Sequence, residues 1–300
     1  MTCFTSLEEA IREIFGAERR IKVRRAVSGG DINEAYALTL DDGTSVFLKQ
    51  NKVAALSNFQ AEAAGLQAIE RTGKIRTPGV LGCGTDPSGV SFLLLAFIRP
   101  GTPVSGYWEV FGRELAAMHG TLSENGKAVQ YGFPSDNYIG YRSQTNTWNE
   151  NWIPFFRDCR LAGQFRDADR FFDSMDKKRI TWLLDHLDRL LEEPEKPGLV
   201  HGDLWAGNFM TGEDGKAWLI DPAAYYGHPE VDLAMTELFG GFSSEFYDAY
   251  QEIRPLNPGY QDRKEIYNLY HLLNHLNMFG RSYLPPVRRI LRRFSETSLM

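Results

Sequence analysis

The stretch L-V-H-G-D-L-W-A-G-N-F-M, Leu199 to Met210, sets a histidine, an aspartate, a tryptophan and an asparagine between apolar runs. Burying such groups is costly unless each is paired or bound to an ion. Any fold the chain adopts must therefore find partners for His201, Asp203 and Asn208. A further carboxylate, Asp221, ends the apolar run W-L-I-D just downstream. A segment of this kind is either a misplaced loop or an active site, and the rest of the chain decides between them.

Composition narrows the function classes. A chain of 300 residues, 43% hydrophobic and 24% charged, is an ordinary globular sequence, long enough for one large domain or two lobes. A formal charge of −6 argues against gripping nucleic acid, which relies on a basic surface to displace phosphate counterions. The expected partner is a small molecule. Cys3, Cys83 and Cys159 are odd in number and widely spaced, so neither a disulfide framework nor a metal clip is legible, and a reduced, cytoplasmic setting fits. M-T-C-F-T-S-L-E-E-A has neither the basic nor the apolar region of a secretory leader, and no uncharged run approaches the roughly 20 residues that span a bilayer. The reading is a soluble chain with no membrane partner; its oligomeric state stays open.

Two patterns divide the chain. Ser6-Leu7-Glu8-Glu9 is a capping-box signature for a short helix ending at Gly16. Ile21 to Val27, Ala35 to Leu40 and Val46 to Leu48 then read as three antiparallel strands, with the hairpin signal D-D-G-T before the third. Helical spacing over Phe59 to Ile69 precedes two more strands around D-P-S-G. Beyond R-P-G-T-P, Arg99 to Pro103, helical patterns dominate: near Trp108–His119, Trp148–Phe156, Ala168–Leu191, Pro229–Phe239, Ser243–Ile253, Arg263–Met278 and Pro286–Phe294. Only L-V-H-G-D and K-A-W-L-I-D interrupt them as strands. The expected class is α+β. Residues 1–98 form a lobe with a five-stranded antiparallel sheet and one main helix, and residues 99–300 form a mostly helical lobe.

The polar residues suit phosphoryl transfer. That chemistry needs oxygen ligands for Mg²⁺ and a separate base that takes or orients the acceptor hydroxyl. Asn208 and Asp221 supply the ligands and Asp203 the base. The order D-x-x-x-x-N followed by a strand-end Asp is that of protein kinases, which makes the fold expectation a two-lobed, protein-kinase-like one. The first lobe offers what ATP requires. Lys49 ends the third strand, Glu62 lies on the next helix to orient it, and Ser28-Gly29-Gly30-Asp31 sits where a phosphate loop belongs. Each has an ordinary alternative as a surface lysine, a solvated glutamate or a hairpin turn, and only their joint placement favours the site. Ala96 and Ile98, closing S-F-L-L-L-A-F-I, are assigned to the nucleotide as well.

H-G-D-L-W-A-G-N with I-D-P-A-A-Y-Y-G-H-P-E-V-D-L-A-M resembles the kinase-like small-molecule phosphotransferases, which include aminoglycoside and choline kinases. G-G-D-I-N-E-A-Y, Y-G-F-P-S-D-N-Y-I-G, T-W-N-E-N-W-I-P-F-F-R-D-C-R-L and Y-H-L-L-N-H-L-N-M-F-G bring the resemblance closer to fructosamine (ketosamine) kinases, over nearly the whole chain. It implies transfer of the γ-phosphate of ATP to a sugar hydroxyl, typically O3, of a ketosamine, free or carried on a glycated protein amine. Another small alcohol as acceptor, or a silent nucleotide-binding module, are the alternatives. Asp31 departs from expectation, since a carboxylate beside phosphates repels them unless it points away. Trp205 could stack on the sugar or on a cationic amine, or be a core tryptophan; His275 could wall the acceptor pocket or be a core histidine. Asp232 is read as bracing the catalytic loop, and His119 and His201 as structural.

Overall fold

The computed structural model describes residues 2–27, 33–122 and 130–299. In chain order its elements begin with β1 (Cys3–Phe4), α1 (Leu7–Phe15), β2 (Ile21–Val27), β3 (Glu34–Leu40), β4 (Ser45–Lys52), α2 (Leu56–Thr72), β5 (Val80–Asp86), β6 (Val90–Ala96) and α3 (Tyr107–His119). They continue with β7 (Asn137–Ile139), β8 (Arg142–Gln144), α4 (Trp152–Phe156), α5 (Ala162–Asp167), α6 (Ser174–Asp185), α7 (Leu187–Leu190), β9 (Gly198–Val200), β10 (Phe209–Thr211), β11 (Ala217–Leu219) and β12 (Tyr225–Gly227). The last helices are α8 (Glu230–Leu238), α9 (Ser244–Ile253), α10 (Tyr260–Phe279) and α11 (Leu284–Leu299). The chain divides into two compact units, one of Met1–Tyr107 with Asn208–Ala223, the other of Trp108–Gly207 with Ala224–Met300. The sequence break at residues 98/99 thus falls inside the first unit, which also takes back a hairpin from far downstream.

The first unit is built on a six-stranded sheet in the order β1-β5-β6-β4-β3-β2. Five antiparallel strands were expected; the sixth is β1, which runs parallel to β5 with Cys3 opposite Cys83. Two residues are too few to display a period, so no sequence pattern announces this strand. Alternation fixes what each face carries. Val46 and Leu48 of β4 and Phe92 and Leu94 of β6 pack with Leu7, Ala10 and Ile11 of α1. The intervening Leu93 and Leu95, with Phe47, pack with Phe59, Ala63 and Leu66 of α2. Lys49 shares the parity of Phe47, and so belongs to the face that α2 covers.

The β10–β11 hairpin pairs Phe209 with Leu219. It is tied to the rest of its unit by Leu219 N–H donating to Arg76 O at 2.8 Å and by Thr77 Oγ1 donating to Leu219 O at 3.0 Å.

The second unit is mainly helical, with α10 packed against α8, α11 and α5. Of the two expected strand interruptions, β9 in L-V-H-G-D lies in this unit and pairs with β12, whereas β11 in K-A-W-L-I-D lies in the first unit and pairs with β10; the sequence reading lacked both partners. The expected helix over Ala168–Leu191 is interrupted. A 3₁₀ turn occupies Asp169–Phe171, and α6 starts anew because the Asp173 carboxylate accepts from the Met175 and Asp176 N–H groups at 2.9 Å each. Trp148–Phe156 is likewise shorter than expected, with α4 starting at Trp152 and passing through a π turn, Arg157–Leu161, into α5.

Candidate active site

In the first unit, Lys49 is buried on the inner face of β4, and its Nζ donates to Glu62 Oε1 of α2 at 2.7 Å and to Asp221 Oδ1. Burial alone would lower the ammonium's pKa, but the Asp221 and Glu62 carboxylates outweigh it and raise the pKa above the ordinary lysine value, so the charge is secure. Glu62 reaches Lys49 because it precedes the buried Ala63 and so lies at the rim of the α2 face that meets the sheet. Asp221 keeps 43% of its side chain exposed. Its φ of +55° lies in the left-handed region, which aspartate tolerates better than most residues and which recurs at functional positions.

Asn208 and Asp221 flank the β10–β11 hairpin. Ile220 N–H donates to Asn208 O at 3.0 Å, extending the ladder by one step beyond Phe209–Leu219, so the hairpin register sets the two residues at the same open end. Asn208 is 7% exposed. An amide oxygen and a carboxylate held this way fit a Mg²⁺ ion, which takes one or two protein oxygens and fills its other positions with water and phosphate. Ala96 N–H is taken by Gly79 O at 2.8 Å, and half-buried Ile98 follows the end of β6. Gly29, Gly30 and Asp31 lie outside the described residues.

In the second unit, H-G-D hangs from one carboxylate. Asp232, on the first turn of α8 and 1% exposed, accepts from His201 N–H at 2.6 Å and from Gly202 N–H at 2.9 Å. His119 Nε2 lies 3.1 Å from the same carboxylate and its Nδ1 lies 2.8 Å from the Tyr250 hydroxyl. Burial would raise the Asp232 pKa; the bonds from His119 and His201 overcome it and hold the carboxylate below its usual range. His119 itself is pushed down by burial and stays neutral, and burial also keeps the Tyr250 phenol protonated. His201 is fully buried, and its Nδ1 accepts from Asp203 N–H at 3.3 Å. Gly202, at φ +81°, makes the turn that a side chain would strain. The roles expected for Asp232, His119 and His201 are thus matched by their contacts.

Trp205 is 40% exposed, which removes the core reading. Its indole folds back over Gly207, where an added Cβ would come within 2.4 Å of the ring. Phe239 links it to His275: the Trp205–Phe239 centroids are 6.5 Å apart and those of Phe239 and His275 5.3 Å. His275 Nδ1 bonds His271 O at 2.8 Å, and its ring also lies 5.0 Å from that of Tyr283. The aromatic group Trp205, Phe239, His275 and Tyr283 contains two members, Phe239 and Tyr283, that sequence reasoning missed. It also missed His271, whose Nδ1 lies 3.9 Å from Asp203 Oδ1. The available signal was the spacing H-L-L-N-H, which sets His271 and His275 on one face of a helix.

Two clusters thus emerge, one pairing a buried lysine with carboxylates, the other presenting Asp203 from a braced turn. No helix among the described residues is long and apolar enough to cross a membrane. Known proteins match this chain over most of its length. A probable ketoamine kinase of Synechocystis is 40% identical over 289 residues, covering 96% of this chain and 95% of that protein. A chloroplastic protein-ribulosamine 3-kinase of Oryza sativa subsp. indica is 40% identical over 271 residues, 89% of this chain and 77% of that one. The crystal structure of a Haemophilus somnus protein assigned as a fructosamine-3-kinase superposes with a TM-score of 0.86 at 31% identity, covering 97% of each chain. The model of the fructosamine kinase family matches residues 3–297, and with that span the chain belongs to the fructosamine kinase family.

Proposed function

We propose that the protein is an ATP-dependent ketosamine kinase that phosphorylates a sugar hydroxyl, O3, of a ketosamine such as a fructosamine or ribulosamine, free or on a glycated protein amine. The observation that carries this reading is the ion-paired set Lys49, Glu62 and Asp221, a cation fixed by one carboxylate and shared with a second that remains partly exposed. Phosphoryl transfer asks for this arrangement, because its loose transition state needs charge placement more than covalent help. The names of the relatives support the acceptor class.

Each residue has a task in this reading. Lys49 neutralises nucleotide phosphate oxygens, with Glu62 holding its position. Asn208 and Asp221 would hold Mg²⁺, which when bound draws charge from the phosphates. Gly29 and Gly30 are assigned to the phosphates on sequence grounds, and Ala96 and Ile98 to the rest of the nucleotide. Asp203 accepts the acceptor's hydroxyl proton as the new O–P bond forms and the bond to the β-phosphate breaks, releasing ADP. Trp205 and His275 offer ring faces to the sugar or its amine. The compartment we assign is the cytoplasm, on the odd number and wide spacing of Cys3, Cys83 and Cys159 in the sequence. The deciding experiment is an ATP-consumption screen against fructosamines, ribulosamines, aminoglycosides and choline, with the phosphorylated position mapped. Turnover confined to ketosamines is expected. Turnover only on an aminoglycoside or choline, or with none of them, refutes the assignment.

A further inference from the structure

Helix α10 carries a buried polar atom that the proposed chemistry has not yet used. His271 is 4% exposed, and its Nδ1 has no hydrogen-bond partner among the described residues. Burial, reinforced by His275, pushes its pKa down to about 3, so the imidazole is neutral and can carry a proton on Nδ1 as a donor. A buried nitrogen left unmatched is an exception in native proteins and calls for a reason. The atom facing it is Oδ1 of Asp203, at 3.9 Å. That separation is too long for a direct hydrogen bond, whose length is about 2.7 to 3.2 Å, yet a single oxygen can stand about 2.8 Å from both atoms.

We propose that this oxygen is the acceptor's reacting hydroxyl, which donates to Asp203 Oδ1 and accepts from His271 Nδ1–H, making His271 a positioning residue for the nucleophile. Two bonds of opposite sense fix the hydroxyl in direction as well as place, and its remaining lone pair is left for phosphorus. The hydroxyl proton passes to Asp203 as the O–P bond forms, the β–γ bridging bond breaks with its electron pair leaving on ADP, and the His271 proton stays where it is. A sub-ångström error in aiming a nucleophile is expensive in rate, which is the effect such a donor prevents. The inference rests on the ketosamine kinase reading above and deepens it.

The test compares His271→Leu, His271→Asn and His271→Gln with the parent enzyme, using a ketosamine and Mg-ATP. Asparagine can set an N–H near the Nδ1 position, whereas the longer glutamine carries its amide past it. His271→Leu is expected to lower kcat/KM for the ketosamine about 10- to 100-fold, with ATP KM within about twofold of the parent. It should also raise the share of ATP lost to water relative to that transferred to sugar, a ratio that loss of packing alone does not move. His271→Asn should recover most of the loss and His271→Gln should not. In the Asp203→Asn background His271→Leu should cost far less than in the parent, because both side chains act on one oxygen. Parental kcat/KM and coupling in His271→Leu, or equal losses in the asparagine and glutamine variants, overturns the role of His271. If His271→Leu fails to fold, as a thermal melt would show, the asparagine–glutamine contrast decides alone. Failure of the underlying reading is distinguishable: it is absence of ketosamine turnover in the parent, or full turnover in Asp203→Asn.

Discussion

Lys49 and Asp232 are both buried ionic groups, and the two units of the molecule handle them in opposite ways. Lys49 is met by ions, and one of them, Asp221, remains substantially open to solvent. Asp232 is met by the backbone N–H groups of His201 and Gly202 and by a neutral histidine, all sealed from water. Charges paired with charges cost desolvation and contribute little net stability, so their retention points to work on a ligand. A carboxylate spent on main-chain donors fixes the shape of a loop, here the turn that presents Asp203. On the proposed function, the difference separates residues assigned to a substrate from residues that shape the loop presenting Asp203.

The largest effects should test that separation directly. Asp221→Asn keeps a side chain that tolerates the left-handed backbone but removes the charge. Turnover should fall roughly 100- to 1,000-fold and more Mg²⁺ should be required, while the melting temperature falls by less than in Asp232→Asn, because Glu62 and the new amide oxygen still meet the Lys49 ammonium. Asp232→Asn should do the reverse first: an amide N–H turned toward buried donors costs about 2–5 kcal/mol, a drop of roughly 5–15 °C in Tm. A melt unmoved by Asp232→Asn, or badly lowered by Asp221→Asn, would erase the distinction.

Acidification separates the units in another way. All six histidines belong to the second unit, and burial holds His119 below its ordinary value and His228 at about 3. The unfolded chain takes protons at about pH 6.5 that these native histidines refuse, so stability is lost as pH falls below that value. The slope is about 1.4 kcal/mol per pH unit for each such histidine until its native pKa is reached. Asp232, with its lowered pKa, adds to the loss only below about pH 4. Amide hydrogen exchange between pH 7 and pH 5 should show protection falling in the second unit before the first; equal decline in both would contradict this.

The smallest effect is expected at Trp205. If the half-exposed ring takes the acceptor as proposed, removing it should raise acceptor KM roughly 2- to 30-fold, leave ATP KM alone and barely move the melt. A destabilised variant with parental acceptor KM would return Trp205 to the structural side of the comparison.

Much of this was legible in the sequence because the features were local or periodic. Lys49 at a strand end and Glu62 on the next helix were placed together by what a nucleotide requires, and the two side chains meet at 2.7 Å. D-x-x-x-x-N and the strand-end Asp221 carried the rest of the polar set. What stayed hidden depended on contacts distant in sequence or on segments too short for a pattern. The parallel pairing of Cys3 with Cys83 is one such case. The approach of His271 to Asp203 is another, because a histidine within an apolar helix reads equally well as core. Trp205 was ambiguous for a different reason: its exposure depends on how the surrounding chain packs, which composition cannot register.

The hairpin that the first unit takes back from residues 208–223 has a consequence for biosynthesis. Asp221 leaves the ribosome 172 residues after the lysine it joins. At about 5–20 residues per second, the nascent chain carries Lys49 and Glu62 for about 9–34 s before the third member of the set exists. The first unit is therefore finished only after most of the second has been made. Residues 1–107 expressed alone form a fragment whose buried ammonium lacks one of its two carboxylates, and co-expression of the remaining chain, rather than a longer N-terminal piece ending before residue 208, is what can restore it.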